Sequence, residues 1–165
     1  DATVAGYLTG RLAMDPQDAM ASAHIAGGDI NAALRTVDAT SVSRMFFDYF
    51  VQLMRLAYQR DVKGLKQWSS DITSMGREQE VKFYGYCTRL IRENFIFNFN
   101  LPDITYMNRT ESQFSQRFAR FITERNAEDI TRHMDLAARD IAGNANGKIV
   151  NFDFAIKMII LIKNS

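Results

Sequence analysis

Between Thr40 and Ala57 apolar residues return every three or four positions, at Val42, Met45, Phe46, Tyr49, Phe50, Leu53, Met54 and Ala57. That is the period of a helix, not of a strand. Phe47, Val51 and Leu56 make the remaining faces apolar too, so this helix must be surrounded on most sides. Such an element needs further helices to cover it. Thr40 or Ser41 is placed to cap its start. A second helix is expected from about Val62 to Met75. Past Gly76 a third runs from Glu78 to Phe99, lined by Val81, Tyr84, Leu90, Ile91, Phe95 and Phe99. Asn100-Leu101-Pro102-Asp103 ends it, because proline forces its predecessor into extended backbone. Asn100 to Arg109 reads as the main linker.

Beyond the linker, Thr110 and Gln113 have capping-box spacing, and Phe114, Phe118, Phe121 and Ile122 fall on one stripe behind them. Asn126 is placed to cap the next helix. There Ile130, Met134, Ala137 and Ile141 form a packed side, while Glu128 with Arg132 and Asp135 with Arg139 form acid-before-base pairs on the wet side. Gly143 to Gly147 breaks the chain before a final helix, Ile149 to Lys163. Ile149, Val150, Phe152, Ile156, Ile159, Ile160 and Ile162 leave that helix little polar surface. It is too short for a membrane span, and Asp153 and Lys157 are spaced as a helical charge pair. Strand signals are nearly absent, so the expected fold is all-α.

The segment before the aromatic helix has another character. Asp15-Pro16 reads as a cap followed by proline at a first helical position, and Gly27-Gly28 as a left-handed exit. Ala19, Ala21, Ala23, Ala26, Ala32 and Ala33 let neighbouring backbones approach closely. Two short helices packed as a hairpin are expected.

Little chemistry is visible. Gly-x-x-x-x-Gly-Lys-Ser/Thr, Gly-x-Ser-x-Gly and His-Glu-x-x-His are all missing, and His24 and His133 lie too far apart in sequence for zinc-ligand spacing. No catalytic residue, metal site or cofactor is therefore assigned. Cys87, the sole cysteine, excludes an internal disulfide and reads as core, as does His133 as a structural residue. With no signal-peptide pattern at the start, a reducing, cytoplasmic setting is expected. The Asn108-Arg109-Thr110 sequon is then a chance match. Hydrophobic residues at 47% and a net charge of +1 suit a packed domain without strong global attraction to nucleic acid.

Gly28-Asp29-Ile30-Asn31-Ala32-Ala33-Leu34 resembles the last helix of an AAA+ ATPase lid, which usually reads Gly-x-x-Arg-x-Ala-Leu. Asp61 to Trp68, Ile91 to Phe95 and Val150 to Lys157 resemble, in that order, the C-terminal region of the bacterial DNA polymerase III clamp-loader subunit delta-prime, in its Bacteroidetes-like form. The resemblance implies an AAA+ lid remnant over 1–39 and a collar domain of about six helices over 40–165. It implies a rigid assembly role in loading the sliding clamp, with the gamma/tau and delta subunits as partners. The clamp and primed DNA would be met only through the full complex. Asn31 stands where ATP-using relatives place an arginine on the γ-phosphate; an amide has donors but no charge, so nucleotide sensing is expected to be lost. The same departure speaks against gamma/tau itself.

Phe152, Phe154, Ile156, Ile159 and Ile160 are the candidate subunit interface, because the final helix carries more apolar surface than one packed layer can cover. Two basic groups, Arg60, Lys63 and Lys66, then Arg117, Arg120, Arg125 and Arg132, are interleaved with Asp61, Glu124, Glu128 and Asp129. That favours a solvated face over a DNA-binding one. A free-standing helical adaptor that binds peptides or proteins in a groove is the alternative from another class.

Overall fold

The computed structural model describes residues 30–99 and 105–164, with side chains from Ser41 onward. The first helix of the expected hairpin, before Gly27-Gly28, lies outside the described residues. The second, expected to run through Leu34 as a separate short helix, is instead continuous from Ile30 with the aromatic helix. The chain divides into two compact units, Asp1–Met45 and Phe46–Ser165. In the first, the described part is helix. In the second, every regular element among the described residues is helical, so the fold there is all-α.

Helix α1 spans Ile30–Gln59 without a break. The helix therefore does not begin at Thr40 or Ser41. No glycine or proline occurs between Gly28 and Gly64, and a serine or threonine stops a helix only where its predecessors cannot continue it. The turn after α1 places Arg60 at φ 58°, and Asp61 then caps α2 (Val62–Thr73) by accepting from the Gly64 amide at 2.8 Å. Gly64 is required there. A β-carbon at that position would lie 2.6 Å from Leu56 and 2.7 Å from the Asp61 carboxylate.

Gly76, at φ 88°, turns the chain into α3 (Arg77–Phe97). Helix α4 (Arg109–Phe118) passes into a short 3-10 turn, Ala119–Phe121. Its capping box is Asn108 with Glu111, not Thr110 with Gln113. The Asn108 side chain accepts from the Glu111 amide at 2.8 Å, and the Glu111 carboxylate accepts from the Asn108 amide at 3.0 Å. Both pairs have suitable spacing. Burial of the Glu111 side chain, with Tyr86 donating to it and Arg89 paired to it at 2.7 Å, selects the earlier one.

Helices α5 (Ala127–Ala142) and α6 (Gly147–Lys163) complete the unit. Asn126 precedes α5 but makes no side-chain cap to it. Its amide donates to Phe121 O at 2.7 Å and Leu161 O at 3.0 Å, joining the 3-10 turn to the end of α6. Arg77 closes the other end of α5, donating to Ile141 O and Ala145 O at 3.1 and 2.8 Å, where helix carbonyls would otherwise lack partners.

The core is aromatic. Phe50 meets Phe118 edge to face at 5.7 Å, Phe46 meets Phe83 at 5.6 Å, and fully buried Trp68 donates its indole N–H to Tyr49 O at 3.0 Å. Leu65, Leu90, Ile91, Ile130, Met134, Ile141 and Met158 are fully enclosed. Cys87 belongs to this core, and burial pushes its thiol well above the usual range. One polar cluster is embedded in it. Asn151 of α6 donates to Glu80 Oε1 at 2.8 Å and Thr73 Oγ1 at 3.1 Å, and accepts from the Tyr84 hydroxyl at 2.6 Å.

Candidate functional site

Helix α6 packs on α2 and α5 through one side. Asn151, Phe154, Ala155, Met158, Leu161 and Ile162 are buried there. Phe154 is therefore a core residue and not an interface residue; its ring stands edge to face on Tyr84 at 5.2 Å and is 3% exposed. The other predicted interface residues sit differently. Phe152, Ile156 and Ile159 are half-buried, and Ile160 is 60% exposed. Ile149, which the sequence reading left out of the interface, is 67% exposed. Ile149, Phe152, Ile156 and Ile160 follow at spacings of three, four and four, so they form one outward stripe, of which Ile149 and Ile160 are exposed while Ile156 also packs partly against the core. Lys157 pairs with Asp153 at 2.8 Å along its edge, as the spacing predicted.

The neighbouring helix α5 turns charge outward. Arg132 pairs with Asp129 at 2.8 Å, three residues away, rather than with Glu128. His133 lies half-buried on this helix. Burial, followed by the positive charges of Lys157 and Arg132, lowers its pKa, while Asp129 and Asp153 pull the other way. Among the described residues no three His, Cys, Asp or Glu side chains converge on a cation position. No described helix is long and apolar enough to cross a membrane.

The second predicted basic group is divided. Arg117 and Arg120 border a groove between α1 and α4 that Arg55 and Tyr58 of α1 also line. Arg125 and Arg132 are not part of it. Arg55 and Tyr58 carried no recognisable signal, because the residues facing them across the groove are some sixty positions away in the sequence. Asn31 lies in α1, and its side chain is outside the described residues.

No protein-family model, curated protein or solved structure matches this chain.

Proposed function

We propose that the chain is an assembly module whose work is to hold protein subunits together, with the outward stripe of α6 as the joining surface. The observation that carries this reading is the two-sidedness of α6. One side fills the core through Phe154, Met158 and Leu161, while Ile149 and Ile160 remain largely exposed on the other. A helix that serves only its own domain needs one apolar side, and a second one has an energetic reason to be covered by a partner. In the setting that the sequence resemblance implies, that partner is a clamp-loader subunit, gamma/tau or delta, in a cytoplasmic replication complex. The clamp and primed DNA are then engaged by the full complex.

Phe152 tests the proposal directly. Phe152→Asp leaves the buried side of α6 untouched and should retain the helical circular dichroism spectrum while losing capture of gamma/tau and delta. Capture undiminished in a folded Phe152→Asp variant would remove the stripe from the interface. Failure of the unaltered chain to capture either subunit would remove the clamp-loader setting and leave the adaptor reading.

A further inference from the structure

The groove between α1 and α4 lies away from the α6 stripe and has its own chemistry. Its floor is apolar, with buried Phe118 and Met54 below and Ile162 closing one end. Tyr58, 65% exposed, and Phe121 meet edge to face at 5.6 Å along the rim. Arg55, Arg117 and Arg120 surround it. No acidic residue lines the groove, and none of the three arginines is ion-paired among the described residues. Cations without an ion pair among the described residues also occur elsewhere, Lys63, Lys66 and Arg125 among them, but these do not border this apolar floor.

The volume is about 250 Å³. That is below the roughly 300–1,000 Å³ that encloses a small organic ligand, and suits one or two anchoring side chains. An apolar floor takes the anchors, and arginine forks match carboxylates in both charge and planar geometry. A single-stranded nucleic acid fits less well, because base stacking needs open ring faces. One face of Phe121 lies under the Arg120 guanidinium, 4.9 Å from the ring centre, and is closed to a base. We propose that this groove docks an acidic peptide segment of a protein partner, with one or two apolar side chains inserted between α1 and α4 and flanking carboxylates on Arg55, Arg117 and Arg120.

The probe is a fluorescein-labelled peptide carrying one phenylalanine and one leucine among aspartates and glutamates, followed by anisotropy with the full chain at physiological salt. Saturable binding is expected. Exchange of both anchors for serine should abolish it, and paired Arg117→Glu and Arg120→Glu should weaken it by roughly tenfold or more, the equivalent of one good charge contact. Tyr58→Ser, at an exposed position, should also weaken it, which separates loss of the apolar rim from loss of charge. Lys63→Glu with Lys66→Glu changes net charge by the same amount away from the groove and should leave affinity within about twofold. The proposal is overturned if the peptide fails to saturate, if the lysine pair matters as much as the arginine pair, or if labelled oligodeoxythymidine binds more tightly than the peptide.

Discussion

Helices α5 and α6 lie against each other, have nearly the same length, and solve the same inward problem in the same way. Ile130, Met134 and Ile141 on one and Phe154 and Met158 on the other are almost wholly enclosed. Outward they diverge. Helix α5 presents Glu128, Arg132, Asp135 and Arg139, whereas α6 presents Ile149, Phe152, Ile156 and Ile160. Packing inside the domain accounts for both inward faces and for only one of the outward ones. The difference teaches where to look for function: in the face whose composition the fold does not need.

If that division is right, substitutions should divide the two sides of α6 sharply. The largest effect is expected at Phe154. Phe154→Asp would bury a carboxylate against Tyr84 with no cation in place, at a cost of several kcal/mol, about enough to abolish the fold. Urea denaturation followed by circular dichroism would read it, and a cooperative transition near that of the unaltered chain would place Phe154 outside the core.

Next come the two enclosed methionines, which sharpen the comparison by testing whether the inward faces are equivalent. Met134→Ala in α5 and Met158→Ala in α6 should each cost about 2–5 kcal/mol in the same experiment. A loss confined to one helix would break the symmetry.

Smaller changes are expected outside. Ile149→Lys and Ile160→Lys should alter stability by no more than about 0.5 kcal/mol each, as for ordinary surface positions. If the stripe is a joining surface, the paired variant should nevertheless lose capture of its partner. A large loss of stability would show that the stripe serves the fold.

The smallest expected effect concerns pH, at the point where α5 and α6 meet. Because the folded state lowers the pKa of His133, it favours the neutral ring. Its contribution is complete above the ordinary value of 6.5 and falls as pH drops through the interval between 6.5 and the lowered folded value, where the unfolded chain binds more protons. His133→Gln should flatten stability across that interval. An unchanged slope would assign the pH dependence to other groups.

The helical class was legible because an aromatic period of three and four leaves no other assignment, and the α5 stripe was legible for the same reason. Cys87 could be placed in the core because its helix neighbours are apolar. Other features rest on contacts between distant parts of the chain. Thr110 with Gln113 has the spacing of a capping box as good as that of Asn108 with Glu111, and only Tyr86 and Arg89, more than twenty residues upstream, decide between them. Periodicity on α6 could not separate Phe154 from Phe152, because a helix apolar on both sides has no pattern that marks the inner one. The groove joins Arg55 to Arg117 and Arg120 across some sixty residues, a juxtaposition no local motif records.

That same lack of pattern raises the question of what orients α6. Hydrophobic burial alone would let it rotate or slide by a turn at modest cost, since isoleucine and phenylalanine fill either side. Asn151 prevents this. Its amide reaches Glu80 and Thr73 while accepting from Tyr84, and any other rotation would strand these buried groups without partners, at about 1–3 kcal/mol for each. One asparagine acts as a locating key, in the way a single polar residue fixes alignment in an otherwise apolar coiled coil. The outward stripe inherits its direction from that key: Ile149, Phe152, Ile156 and Ile160 point where they do because Asn151 points the opposite way.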